Sequence, residues 1–252
     1  VSPRVAGPLA LALVLVAALV TACGTGTGRE KTVTVFAAAS LTDVFAVLER
    51  RFEDAHPEVD VRLNTAGSAT LARQVAEGAP ADLIASADQR TLRELTDEGL
   101  LAGPPEVFAT NTLALAVAPG NPRGITGFAD LTRPGLTVVV CAPTVPCGAA
   151  TERLERVTGL TPRPASEEGD VRAVLTKVEV GSADAGVVYE TDVASSEEVD
   201  RVPLPEARAR PNRYPVAVTA DAAEPEAARA FRDLLLGPEG ERVLTEAGFG
   251  RP

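Results

Sequence analysis

The sequence predicts an α/β protein in which strands alternate with helices, with enough chain for two lobes. Three observations lead there. Short apolar runs of strand character are repeatedly followed by stretches whose apolar residues fall at the i, i+3, i+4 spacing of an amphipathic helix. The first two such units share one design: a strand, a turn of small residues, a serine, then a helix. The chain has 252 residues, and a Pro119-Gly120-Asn121-Pro122 turn signal punctuates it. Alternation of this kind argues for parallel sheets with helices on both faces.

Taken in order, VTVF at 33–36 is a strand that passes through Ala37, Ala38 and Ala39 to Ser40. Leu41, Val44, Phe45, Leu48 and Phe52 then mark a helix face, with Ser40 expected at the N-cap and Asp43 three residues on. VDVRL at 59–63 alternates like a strand and ends in Asn64-Thr65-Ala66-Gly67. Ser68 heads the next helix, with Leu71, Ala72 and Val75 on its face and Gly78 as its stop. ADLIAS at 81–86 is a third strand, and a helix follows through Leu92 and Leu95. LALAVA at 113–118 suits a buried strand.

The middle of the chain repeats the logic. LTVVV at 136–140 is a strand running into Cys141-Ala142-Pro143-Thr144-Val145-Pro146-Cys147-Gly148 and a helix with Leu154 and Val157 on its face. Asp170 opens a helix bearing Val171, Val174, Leu175 and Val178. AGVVY at 185–189 is a strand ending on Tyr189, and YPVAVT at 214–219 is a further strand with Pro215 near its entry. Two helices close the chain, around 226–236 and 239–247, with Gly237-Pro238 between them.

The first segment is not part of the fold. Arg4 precedes an apolar stretch, PLALALVLVAALV at 8–20, too short for a bilayer span and read as an export signal. Val20-Thr21-Ala22-Cys23 has the look of a bacterial lipoprotein junction, with cleavage after residue 22 and lipid carried on Cys23. Two or more acyl chains there would give stable anchoring to the outer face of the cytoplasmic membrane. GTGTGRE at 24–30 is a flexible tether. Export favours an oxidising compartment, in which Cys141 and Cys147 either close a small disulfide loop or remain two free thiols; the bridge is the expected outcome.

Composition narrows the functional classes. A net charge of −11 argues against nucleic acid, whose binding needs clustered Lys and Arg. His56 is the only histidine, so neither a serine–histidine nucleophile nor a histidine metal site is supported. No phosphate-binding loop, dinucleotide fingerprint or nucleophile elbow is present. The chain is therefore expected not to be an enzyme and to need no cofactor. Serines at helix starts make better sense as oxyanion donors, because a helix N-terminus offers free N–H groups and about half a positive charge.

At this point a resemblance becomes specific. FAAASLTD at 36–43, GSATLARQVAEGAPADL at 67–83 and SADQ at 86–89 resemble the molybdate-binding proteins of ABC importers. So do VPCG at 145–148, GDVRAVL at 169–175, ADAGVVYETD at 183–192 and YPVAV at 214–218, in the family's order. The resemblance implies a two-lobed periplasmic-binding-protein fold, type II-like, with the ligand in the cleft between lobes. It implies that a tetrahedral oxyanion, molybdate and with it tungstate, is held by neutral donors. The matching positions are Ser40 and Ser68 through hydroxyl and backbone N–H, Cys147 and Val171 through backbone N–H, and Tyr189 through its phenol. The family usually has alanine where Cys147 stands, which a backbone donor tolerates.

The implied lobes are 31–112 with 219–252, and 113–218, with the strands at 113–118 and 214–219 as crossings. Ligand would close them like a hinge, and the loaded monomer would dock on a membrane permease driven by an ATPase. A receptor for another oxyanion such as sulfate is the alternative.

Overall fold

The computed structural model describes residues 31–252. The export signal at 1–22, the lipidation site Cys23 and the tether through residue 30 lie outside the described residues.

The first strand, β1 (Lys31–Ala38), is followed by a single 3-10 turn at Ala39–Leu41 and then α1 (Thr42–Ala55). Next come β2 (Val59–Ala66), α2 (Ser68–Ala76), β3 (Leu83–Ala85), α3 (Gln89–Asp97) and β4 (Glu106–Asn111). The chain continues through β5 (Leu113–Val117), β6 (Val138–Cys141), α4 (Pro146–Thr158), β7 (Ser166–Glu168) and α5 (Val171–Glu179). It ends with β8 (Ala185–Tyr189), α6 (Glu190–Ala194), β9 (Asp200–Pro203), β10 (Asn212–Val218), α7 (Pro225–Leu236) and α8 (Pro238–Glu246).

These strands form two five-stranded sheets, ordered β2-β1-β3-β10-β4 and β7-β6-β8-β5-β9. In each sheet one strand runs against the rest: β10 is antiparallel to β3 and β4, and β5 is antiparallel to β8 and β9. The other pairings, β1 with β2 and β3, and β6 with β7 and β8, are parallel. Each sheet is thus mostly parallel in strand direction, the reversed strand being the one beside an inter-lobe connection.

The period-two alternation of β1 explains how the first sheet is covered. Val33, Val35 and Ala37 face a core built with Phe45, Phe52 and Phe231, whereas Phe36 faces a second core with Leu71, Ile84 and Leu92. Phe52 and Phe231 meet edge to face at 5.3 Å. The second lobe has one continuous core around β5, β6 and β8. Val157, expected on the buried face of α4, is instead 57% exposed, while Leu154 is buried.

The lobe boundary differs from the expectation in one respect. Residues 212–218 do not belong with the second lobe, because Val216 pairs with Ala85 and Asn212 with Asn111, inside the first sheet. The chain crosses outward at Thr112, between β4 and β5, and returns between Ala207 and Asn212. Asn111 and Asn212 therefore stand opposite each other where the two connections meet.

Candidate functional site

The site is built from helix beginnings. The 3-10 turn ahead of α1 and the first turn of α2 come from the first lobe; the first turns of α4 and α5 come from the second. All four line one cavity, together with Tyr189 at the end of β8. The cavity is small, ≈ 20 Å³. Ser40, Ser68, Cys147, Val171 and Tyr189, the five residues singled out from sequence, all line it. Two come from the first lobe and three from the second.

The helix ends are available because side chains do not consume them. Neither α2 nor α4 has a side-chain cap, so their first-turn N–H groups stay free of that competition. In α5 the Asp170 carboxylate accepts only from Ala173 N–H, at 2.9 Å, the third residue of the helix. Proline at the first position of α4 costs nothing there and leaves Cys147 as the first donor. Its sulfur is bonded to Cys141 at the end of β6, so the side chain of Cys147 ties the loop that lines the cavity. The Cα atoms of the bridge are 5.6 Å apart.

The expected N-cap roles of the serines are not what forms. The residue before α1 is Leu41 and the one before α2 is Gly67; Ser40 lies inside the 3-10 turn, and Ser68 is the first residue of its helix. Their hydroxyls are thereby released from capping. Ser68 Oγ accepts from Ala87 N–H at 3.0 Å, and Ser40 Oγ lies 3.0 Å from the Tyr214 hydroxyl. Both serines are buried, 5% and 3% exposed, so each hydroxyl proton must find an acceptor within the protein or the cavity. Tyr189 Oη accepts from Asn212 Nδ2 at 2.8 Å.

Electrostatically the wall is neutral or weakly positive. No Lys or Arg lines the cavity, and its one carboxylate, Asp170, is engaged as a cap. Burial pushes the phenols of Tyr189 and Tyr214 well above their ordinary value, so both remain protonated donors. Nearby, Asp192 is completely buried and accepts from Tyr189 N–H at 3.0 Å, fixing the junction that carries the tyrosine. Burial raises its pKa to about 6, against the pull of Arg172, whose Nε lies 3.1 Å away.

The lobes meet around the cavity. Gly67 and Gly169 pack so closely that a Cβ on Gly67 would lie 2.5 Å from the Gly169 carbonyl oxygen. Arg172 of the second lobe reaches Asp43 of the first at 2.5 Å, and Arg90 donates to the Thr144 carbonyl at 2.9 Å. Three polar groups near the site were not found from sequence: Asn111, Asn212 and the hydroxyl of Tyr214. Each reads as an ordinary strand residue unless the register of β4 against β10 is known.

Two lobes meeting around a small cavity lined by helix first turns and by serine and tyrosine hydroxyls form a cleft suited to holding a small solute. The chain belongs to the bacterial extracellular solute-binding proteins, whose family model matches residues 33–250. It is similar, at 46% identity over 223 residues, to the molybdate-binding protein ModA of Mycobacterium tuberculosis strain H37Rv, covering 88% of this chain and 85% of that one. The molybdate-binding protein ModA of Escherichia coli K12 is 33% identical, with 87% and 89% covered. Among solved structures, the Azotobacter vinelandii periplasmic molybdate-binding protein matches with a TM-score of 0.76 at 22% identity, covering 87% of this chain and 99% of that one. The sulfate-binding protein SubI of M. tuberculosis gives the same TM-score of 0.76 at 22% identity, covering 87% and 86%. These two structural likenesses establish the fold. The chain is a transport receptor rather than an enzyme.

Proposed function

We propose that this receptor captures molybdate, and tungstate as a near-isosteric ligand, and hands it to an ABC permease powered by a cytoplasmic ATPase. The observation that carries the reading is a buried cavity lined by hydrogen-bond donors from both lobes and by no cation. The curated relatives, named for molybdate at 46% and 33% identity, support the choice of anion. Ser40 and Ser68 supply hydroxyl and backbone donors, Cys147 and Val171 backbone donors, and Tyr189 its phenol. A hydrogen bond to a charged group is worth about 1.5–3 kcal/mol. Roughly five to seven of them, less the cost of association, reach the ~8 kcal/mol of micromolar binding.

Neutral donors suit a ligand that must later be released, and an acidic protein keeps its overall field from holding the anion non-specifically. The one carboxylate of the wall, Asp170, is engaged as a helix cap, so little is offered to accept the proton of hydrogen phosphate and phosphate is disfavoured on protonation. Sulfate is unprotonated and must be refused on size. The sulfate-binding fold neighbour makes sulfate the second reading. We further propose that the mature chain begins at a lipidated Cys23, is held at the outer face of the membrane and acts as a monomer. The test is calorimetric titration with the two anions; tighter binding of sulfate than of molybdate overturns the assignment.

A further inference from the structure

A cavity meant to donate to an anion needs more than hydroxyl groups, because a hydroxyl oxygen can accept as readily as its proton can be donated. Something must fix the direction. Asn111 and Asn212, both buried, face each other as a register pair of β4 and β10, beside the two inter-lobe connections. Arg153 from α4 donates to Asn212 Oδ1, and a guanidinium has no acceptor. The amide is thereby oriented with Nδ2 towards the Ala87 carbonyl at 3.0 Å and Tyr189 Oη at 2.8 Å. Tyr189 accepts on its oxygen, so its single proton is free to turn to the cavity, the Tyr214 hydroxyl being its other neighbour.

Asn111 repeats the arrangement. Thr112 N–H donates to Asn111 Oδ1 at 2.9 Å, so Nδ2 is turned to Thr191 Oγ1 at 2.8 Å and to Tyr214 Oη at 3.4 Å. Either hydroxyl can donate across the 3.0 Å contact between Tyr214 and Ser40; with Asn111 donating to Tyr214 Oη, the direction Tyr214 to Ser40 gives each group one donor and one acceptor and leaves the Ser40 proton for the cavity.

We infer that Asn111 and Asn212 are positioning residues that fix the hydrogen-bond polarity of the site, each aiming one hydroxyl proton, of Ser40 and of Tyr189, at the bound anion. Neither asparagine lines the cavity, so each acts through the hydroxyl it holds. The inference rests on the oxyanion reading given above. Because Asn212 also bonds groups of both lobes, Ala87 in the first and Tyr189 in the second, the polarity of Tyr189 is set only when the lobes are together.

Asn212→Asp is the diagnostic change. It keeps shape and keeps the Arg153 contact, but replaces the Nδ2 donor by an acceptor, which draws the Tyr189 proton away from the cavity. A new carboxylate also repels the anion, so the single variant is not decisive; a double-mutant cycle with molybdate as ligand is. In the native chain Tyr189→Phe should weaken binding by about 10- to 150-fold, the value of one hydrogen bond to a charged group. In the Asn212→Asp chain the same change should cost less than about threefold, because charge repulsion adds whereas proton direction does not. Equal losses in both backgrounds overturn the inference. If Asn212→Asp fails to fold, as judged by its thermal transition, the cycle of Asn111→Asp with Ser40→Ala decides the question by the same criterion. Failure of the native protein to bind molybdate overturns the ligand reading and the inference together; native binding with equal losses overturns the inference alone.

Discussion

The contact between Gly67 and Gly169 turns lobe closure into a quantity that can be perturbed. Gly67 has φ −57° and ψ 133°, a conformation open to any residue, so Gly67→Ala introduces no backbone strain. The added Cβ would sit 2.5 Å from the Gly169 carbonyl oxygen, whereas real Cβ contacts begin at 3.0 Å and are ordinary from 3.4 Å. The backbones must therefore separate by about 0.5–0.9 Å at this point if the clash is to be relieved, because the nearest atom is main chain and the next, Asp170 Cβ at 3.3 Å, is fixed to the same backbone. A typical hydrogen bond of about 2.9 Å, lengthened by that amount, reaches or passes the limit of useful interaction. With Ser40 and Ser68 on one lobe and Cys147, Val171 and Tyr189 on the other, at least one donor loses its anion oxygen.

One lost bond to a charged ligand costs about 1.5–3 kcal/mol, or about 10- to 150-fold in affinity. The ligand-free protein should be unharmed or slightly stabilised, since alanine reduces the entropy of the unfolded chain by about 0.4–1 kcal/mol. Calorimetric titration beside scanning calorimetry of the unliganded protein separates the two effects. Native affinity in Gly67→Ala would refute the reasoning that this glycine pair sets the closing distance.

Two further outcomes follow from groups near the site. Asp192 has its pKa raised from 3.8 to about 6, so the folded protein binds the extra proton and stability rises as pH falls through 6 towards 4. Relative to Asp192→Asn, which keeps an acceptor for Tyr189 N–H, the native chain should gain at most about 3 kcal/mol over that window, from roughly two pH units at 1.36 kcal/mol each; parallel denaturation curves from pH 6 to 4 would count against it. Replacing Cys141 and Cys147 together by alanine removes a short bridge worth about 2 kcal/mol on the chain-entropy account and should lower the melting temperature by about 4–8 °C. Molybdate affinity should fall with it, because the Cys147 loop must then be ordered on binding; unchanged affinity would show that the loop is held without the bridge.

What could be seen in the sequence was whatever is local. Ser68 and Val171 are legible because a strand, a small residue and an apolar helical stripe announce a helix start within ten residues. Ser40 was visible as a site but not in its conformation: a 3-10 turn at Ala39–Leu41 displaces it from the capping position, and its oxygen goes to Tyr214, 174 residues away in the chain. Pairing at long separation is what a single sequence hides. Asn212 is one polar residue before an apolar strand until its register against Asn111 is known, and then it is the centre of a network reaching Ala87, Tyr189 and Arg153. The same blindness misplaced β10, because nothing local tells a strand which sheet it joins. The approach of Gly67 to Gly169 is likewise silent in sequence, since each glycine looks like an ordinary turn residue.

The central claim is that a cavity of neutral donors selects an unprotonated tetrahedral anion of molybdate size. It is met most directly by competition calorimetry on the protein lacking its export segment, titrated with molybdate in the presence of excess sulfate or phosphate. The account predicts that molybdate binds in a one-to-one ratio with micromolar or tighter affinity, undiminished by excess phosphate and only weakly opposed by sulfate. Sulfate holding the site against molybdate would contradict it.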